Sequence, residues 1–530
     1  MFNQGRYPLL SSDSTKEYLL FIVLIMLGLF LRMIFHPGLV FPDSLHYSQV
    51  AFNKITNLLS RPADPVFQIF YARGLVWLPL AINYRLFGVN VFSGLFWQLI
   101  WSLGNLIMIY CLANIIFRDK RVTIFSLFLL AFFPLDLSFL IQITPDAGLA
   151  FLLASAVYVF LTNQQSNQKT GLYFLAGLLM GLCIFIRETG VFMMLSFLVI
   201  YFCIKRNLRI RHGFILLGCL TILASYCLFT LFAYGDFLLR LKEILETNRE
   251  LRLGKFGEYS KDYSNFFFYL LPFLGLSKAG LANLGFFYPA ALVSIIYCYI
   301  KKKIKNILIP LLWLVSFLII LVLFGVADKL GSVSNMEYRY TSVVTMPIIL
   351  IIAFSAMDWL HSARRDRGVF INSMGFKKTI LFLSIIFLSS TSLYGAYRLR
   401  KIFLIDATPF KEVASFLQTQ PRKNTFFTHP WWPLYINYYF KYQTNFDYYA
   451  PQEANKDSFL KYLSEKDGLA DIRDAYIIYD RRFIYPLGIK SKPLIGKKRK
   501  DLPEFIYHIP VEWKAVFKSG AVTVYQTPTK

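Results

Sequence analysis

Long apolar runs bounded by charged residues recur through residues 1–397, and many have the length of a helix of about 20 residues that crosses hydrocarbon. Read this way, spans are predicted at Tyr18–Phe35, Phe92–Phe117, Val122–Leu140, Ala147–Leu161, Gly171–Ile186, Gly190–Ile204, Gly213–Tyr234, Ala279–Ile300, Ile307–Ala327, Tyr340–Trp359 and Thr379–Tyr397. Between the first two lies a loop, His36–Arg73, carrying Asp43, Arg61 and Asp64, and then Gly74–Phe87, which is apolar but short and contains Arg85. No small-residue cleavage site follows the first span, so it reads as an uncleaved anchor.

Whether Gly74–Phe87 crosses decides the orientation of everything after it. With 11 spans and the N-terminus inside, the basic loops Arg118–Arg121, Lys205–Arg211, Lys301–Lys305 and Arg364–Lys378 all fall on the cytoplasmic face, as lysine and arginine do in membrane proteins. A twelfth crossing would invert all of them. Gly74–Phe87 is therefore expected to lie along the outer interface as an amphipathic helix. The loops His36–Arg73, Gln142–Asp146, Arg187–Thr189, Gly235–Lys278 and Asp328–Arg339 then fall outside, and they hold the acids and isolated arginines. Charge gathered repeatedly at one end of the helices points to an active site at the outer membrane boundary.

After Tyr397 the composition turns ordinary. Asn424–Thr428, Ala475–Tyr479 and Ala521–Tyr525 read as strands, and Thr408-Pro409 reads as a capped helix start. The expected organisation is an α-helical polytopic membrane domain over 1–397, with interfacial loop helices in 36–91, and a soluble extracytoplasmic α/β domain over 398–530.

Composition agrees: 56% of residues are hydrophobic, 16% are charged, and Phe alone supplies 53 positions. The formal charge of +25 would suggest nucleic acid in a soluble protein, but here it belongs to cytoplasmic loops and to contacts with anionic lipid or a phosphorylated substrate. The six cysteines lie in apolar segments and form neither a disulfide framework nor a zinc pattern.

Asp43, in Phe41-Pro-Asp-Ser-Leu-His-Tyr47, precedes a plausible helix, Ser44–Asn53. A capping role accounts for it. So does a general base, with one oxygen held by helix N–H groups and the other facing substrate. His46 and Tyr47, one turn on, line the same pocket; His46 has no partner ligand at metal spacing. In Ile143-Thr-Pro-Asp146, Thr144 reads as a cap, Pro145 as the first helical residue and Asp146 as a first-turn acid. Arg187, in Arg187-Glu188, and Arg339, in Glu337-Tyr-Arg339-Tyr340, read as snorkelling anchors or as a phosphate clamp. Lys329 and Arg73 are candidates of the same kind, and Arg32 reads as snorkelling or lining the site. The basic run Lys490–Lys500 reads as a solvated loop or a contact to anionic lipid.

These residue types belong together in one chemistry. Glycosyl transfer from a lipid phosphate needs a base for the incoming hydroxyl and cations for the departing phosphate, and no strong general acid. A hydrolytic carboxylate pair would look different, and no GxxxxGK[ST] is present.

The order of the features resembles the GT-C superfamily of polyprenyl-phosphate-sugar-dependent glycosyltransferases, and within it the protein O-mannosyltransferase and lipid A aminoarabinose transferase branch. The likeness is carried by Pro42-Asp-Ser-Leu-His-Tyr-Ser-Gln-Val-Ala51, by Leu86-Phe-Gly88 with the span closing at Phe117-Arg118, by Phe133-Pro134 through Thr144-Pro-Asp146, and by Gly177-Leu-Leu-Met-Gly181 through Ile186-Arg-Glu-Thr-Gly190. Tyr338-Arg-Tyr340 with Pro347 resembles the branch's late Arg-Tyr motif. The resemblance implies Asp43 as base, Arg187 and Arg339 on the donor phosphate, and a polyprenyl-phosphate sugar donor. The branch often carries a second acid directly after the first, where this chain has Ser44, so no metal and no other cofactor is expected.

The expectation is an inverting transferase of a multi-pass bacterial or archaeal plasma membrane. It would pass a sugar from undecaprenyl or dolichyl phosphate to a lipid, glycan or protein acceptor on the extracytoplasmic face. The chain has no Asn-x-Ser/Thr sequon, which favours that setting over an ER lumen. An O-antigen ligase or polymerase acting on pyrophosphate-linked donors is the alternative. A transporter or flippase would predict paired broken helices and midplane charges, and no internal repeat is seen.

Overall fold

The computed structural model of the chain describes residues 12–36, 38–39, 42–56, 70–138, 142–166, 168–187, 189–206, 208–239, 242, 274, 284–330, 341–362, 374–421, 424–427, 432–441, 448–449, 474–481 and 509–528. It is a helical protein with a small C-terminal sheet. The helices are α1 (Ser12–Phe35), α2 (Pro42–Thr56), α3 (Gly74–Phe87), α4 (Val91–Phe117), α5 (Lys120–Ala131), α6 (Pro134–Ser138), α7 (Asp146–Gln165), α8 (Thr170–Leu182), α9 (Thr189–Lys205) and α10 (Gly213–Tyr234). They continue with α11 (Phe287–Ile300), α12 (Leu308–Leu330), α13 (Ser342–Ser362), α14 (Met374–Thr419) and α15 (Trp432–Tyr439).

Over its described residues, each span predicted from the apolar pattern coincides with one of these helices, apart from Val122–Leu140, which covers two. Among the described residues, seven helices are long and apolar enough to cross a membrane and three apolar ones are shorter. The chain is an integral multi-pass membrane protein. α7 and α13 form the middle of the bundle, mostly buried, whereas α1 and α14 turn residues such as Met26, Phe30, Phe382 and Leu383 outward. That outward apolar surface is what a lipid-facing helix presents.

Two helices approach unusually closely. A Cβ built on Gly177 of α8 would lie 2.0 Å from the Ile215 carbonyl oxygen of α10, and one on Gly218 would lie 2.3 Å from the Phe174 carbonyl oxygen. Backbone meets backbone there, as small residues permit in membrane helices.

One predicted span is interrupted. Val122–Leu140 divides into α5 and α6 at Phe132-Phe133, because Pro134 disfavours helical backbone in the residue before it. Arg32 closes the break. Its guanidinium is fully buried and donates to the Gly28, Ala131 and Leu130 carbonyls at 2.9, 3.5 and 3.2 Å and to Asp136 at 3.3 Å. Arg32 therefore does not snorkel. It ties α1 to the carbonyls of the last turn of α5, where a cation suits the helix dipole.

The expected helix start at Thr408-Pro409 is also corrected, since both residues lie inside α14, which runs unbroken to Thr419. Pro409 removes one helix hydrogen bond, but packing holds its flanks. Phe410 stacks on Tyr435 at 3.7 Å, and Phe416 stacks on Phe517 at 4.8 Å. The sheet that follows comprises β1 (Asn424–Phe427), β2 (Tyr448–Tyr449), β3 (Ala475–Asp480), β4 (Lys514–Ser519) and β5 (Val522–Gln526). Its order is β2-β1-β3-β5-β4, with β1 parallel to both neighbours and β5 antiparallel to both of its own. All three strands expected from the sequence are present.

Candidate active site

α2 carries the central acid. Pro42 opens the helix and Asp43 stands in its first turn, where unsatisfied N–H groups and the helix dipole favour a carboxylate. Asp43 is half-buried. His46 and Tyr47 lie one turn on, and both contact Phe70. The His46 ring stacks on it with centroids 4.7 Å apart, and Tyr47 meets it edge-on at 4.9 Å. Phe70 sits outside the sequence reading, which had nothing to mark it.

Tyr47 is fully buried, and its hydroxyl accepts a hydrogen bond from Arg73 Nη1 at 2.9 Å. Burial raises the phenol's pKa, while the Arg73 guanidinium, its hydrogen bond and the charge of Arg187 pull it down and the charge of Asp43 pushes it up. Asp43, Arg73 and Arg187 thus all bear on one hydroxyl. His46 is driven the other way: burial lowers its pKa to about 4, against the opposing charge of Asp43. It is a neutral ring at neutral pH.

Arg187 reaches the site from the turn between α8 and α9. α8 gives way to a short 3-10 segment, Cys183–Phe185, and the chain then turns at Arg187. Gly190 lets this turn press on α7, since a Cβ there would lie 2.5 Å from Leu149 Cδ1. Arg187 Nη1 meets Asp146 Oδ1 at 3.2 Å. Thr144 does not cap α7; it is buried, and its hydroxyl has no hydrogen-bond partner among the described residues. The second Asp146 oxygen, Oδ2, is likewise buried and without a partner there. Asp146 is therefore a buried ion-pair partner with one oxygen to spare.

The structure thus brings together Asp43, His46, Tyr47, Arg73, Asp146 and Arg187. Arg61, Asp64, Glu188, Glu337, Tyr338, Arg339 and the run Lys490–Lys500 lie outside the described residues. Lys329 stands in the last turn of α12, its side chain also outside the description.

Further residues brace α2. Ser48 and Tyr84 of α3 share a hydrogen bond of 2.5 Å. At the far end Lys54 is buried over the rings of Tyr71 and Trp77, at 5.1 and 5.5 Å from their centroids. α15 of the C-terminal domain packs on α2 as well. Gln142, also missed from the sequence, is buried and donates to the Gly38 carbonyl at 2.9 Å. It stands out in the sequence only as a polar residue in the apolar run Leu140-Ile-Gln-Ile143.

The fold is similar to that of known proteins. Residues 75–230 match the family model described as dolichyl-phosphate-mannose-protein mannosyltransferase. No curated protein matches the chain by sequence. Among solved structures, ArnT from Cupriavidus metallidurans bound to undecaprenyl phosphate matches with a TM-score of 0.59 at 12% identity, over 96% of this chain and 98% of that one. AglB, an archaeal oligosaccharyltransferase from Archaeoglobus fulgidus in complex with an inhibitory peptide and a dolichol-phosphate, matches with a TM-score of 0.54 at 14% identity, over 89% of this chain and 70% of that one.

Proposed function

We propose that this GT-C superfamily glycosyltransferase, similar to the protein O-mannosyltransferase and aminoarabinose transferase branch, moves a single sugar from a polyprenyl monophosphate to a hydroxyl acceptor with inversion. The observation that carries the reading is Asp43 in the first turn of α2 with Tyr47 one turn on, the Tyr47 hydroxyl accepting from Arg73 at 2.9 Å and feeling the charges of Asp43 and Arg187. A base with two guanidinium groups near it is what the reaction requires.

In this reading Asp43 takes the proton from the acceptor hydroxyl as its oxygen attacks the anomeric carbon. The bond from that carbon to the phosphate oxygen breaks on the opposite face, and the phosphate leaves with the electron pair. Arg187 and Arg73 hold the charge that develops. A guanidinium presents five N–H donors, so pairing with Asp146 and meeting a phosphate are compatible. Tyr47 accepts from Arg73 through its oxygen and keeps its own O–H to donate to the departing phosphate. Asp146 Oδ2 accepts from a sugar hydroxyl. Arg339 and Lys329 belong to the same clamp by resemblance, and the reaction uses no metal. The site faces the extracytoplasmic side, a reading favoured by the distribution of the basic loops, and the C-terminal domain packed on α2 shapes the acceptor entrance.

The test is transfer from labelled polyprenyl-phosphate sugars into membrane extract, comparing the unmodified protein with Asp43→Asn. The expected result is transfer that falls by at least ~100-fold in the variant; full activity in a folded Asp43→Asn protein defeats the base assignment. A parallel arm with pyrophosphate-linked oligosaccharide identifies the ligase-type alternative by which donor is consumed. A periplasmic reporter joined after Tyr397 should be active, and a silent one reverses the orientation.

A further inference from the structure

One side chain of the turn that leads to Asp146 is fastened both to the chain before α2 and to the first turn of α2, which carries Asp43. Gln142 is 1% exposed, and its Nε2 donates to the Gly38 carbonyl at 2.9 Å while its Oε1 accepts from Ser44 Oγ at 3.2 Å. The amide orientation follows from chemistry. A carbonyl can only accept, so the NH2 end must face Gly38, the oxygen must face Ser44, and Ser44 must be the donor.

Two consequences bear on Asp43. The same amide grips the chain five residues before the acid and immediately after it, so the backbone carrying the carboxylate is pinned on both flanks. The Ser44 proton is also committed to Gln142. It therefore does not go to the neighbouring carboxylate, where a hydrogen bond would make Asp43 a poorer base. On its other side, Gln142 belongs to the turn that ends at Asp146. The Thr144 N–H donates to the Gln142 carbonyl at 2.7 Å, and Asp146, two residues later, holds Arg187.

We infer that Gln142, acting with Ser44, is the positioning residue that sets the Asp43 carboxylate relative to the Asp146–Arg187 pair. The inference rests on Asp43 being the base. Glutamine is suited to this place because it supplies an acceptor and a donor from one planar group. Leucine of similar bulk supplies neither, and alanine at 44 removes the donor on the other side.

The experiment compares Gln142→Leu, Ser44→Ala, Ser44→Thr and the Gln142→Leu/Ser44→Ala double variant in the full chain. Transfer from labelled polyprenyl-phosphate sugar gives kcat and KM, binding of undecaprenyl phosphate is measured separately, and melting is followed in detergent. Gln142→Leu and Ser44→Ala should each lower kcat by ~10–100-fold, the scale of a small misplacement at a reacting group. Undecaprenyl phosphate affinity should stay within ~3-fold. The double variant should be no slower than Gln142→Leu, because both changes break one link, and Ser44→Thr should restore turnover.

Unchanged kcat in Gln142→Leu overturns the inference. So do additive losses in the double variant, or kcat, affinity and melting temperature falling together, which marks general damage. Asp43→Asn in the same series separates the two questions. Full activity there defeats the base assignment, and a silent Gln142→Leu beside an inactive Asp43→Asn defeats only the positioning role.

Discussion

Arg187 Nη1 stands 3.2 Å from Asp146 Oδ1, with the acid side chain 1% exposed and the arginine 13%. The pair joins the start of α7 to the turn before α9. Removing the arginine alone strands a buried carboxylate, which costs about 3–5 kcal/mol. Arg187→Ala should therefore lower both melting temperature and donor binding. Arg187→Met with Asp146→Leu should recover most of the stability and none of the transfer. Stability and donor affinity measured side by side separate the two roles of Arg187.

The crossing of α8 and α10 gives a second expectation. Gly177→Ala places a methyl group 2.0 Å from a carbonyl oxygen, so the helices must part, at a cost of about 1–3 kcal/mol or more. Gly171, in the first turn of the same helix, has open space around it. Gly171→Ala should be neutral or stabilising by up to ~1 kcal/mol. Melting of the two variants in detergent checks the contrast, and equal effects would refute the backbone contact.

His46 predicts a pH response. Its folded-state pKa of about 4 lies below the ordinary 6.5, so the unfolded chain takes up the proton first. Stability contributed by the neutral ring is complete above pH 6.5 and is lost as pH falls toward 4. Melting temperature should drop through that window, and His46→Gln should flatten the drop. A variant that falls as steeply as the unmodified protein would show that other groups carry the response.

Metal independence is open to direct trial. Transfer measured after dialysis against EDTA should match the untreated rate within ~2-fold, since the proposed mechanism gives arginines the role that a divalent cation fills elsewhere. Loss of activity restored by a divalent cation would assign Asp43 and Asp146 to a metal instead.

Much of the fold was legible because membrane spans are written in length and hydropathy, which need no knowledge of neighbours. Strands such as Ala475–Asp480 were legible for a related reason, their apolar runs being short and bounded. The misreadings came where distant partners decide. Arg32 resembles any arginine near a helix end until Asp136, 104 residues away, is seen beside it. Thr408-Pro409 carries a sound local signal for a helix start, which the stacking of Phe410 on Tyr435 overrides. At the site, Asp43, Arg73, Asp146 and Arg187 were candidates because they are charges at the ends of apolar spans, and Tyr47 because it lies one turn from Asp43. Phe70 and Gln142 were missed because their roles depend on what they touch.

The unbroken course of α14 from the bundle to the sheet gives the two regions a fixed phase. A single residue inserted within it would turn everything beyond by about 100° and advance it by about 1.5 Å, moving α15 off the face of α2. The C-terminal region thus behaves as a rigid crank on a shaft, and a chimera that exchanges it would have to conserve the number of residues in α14.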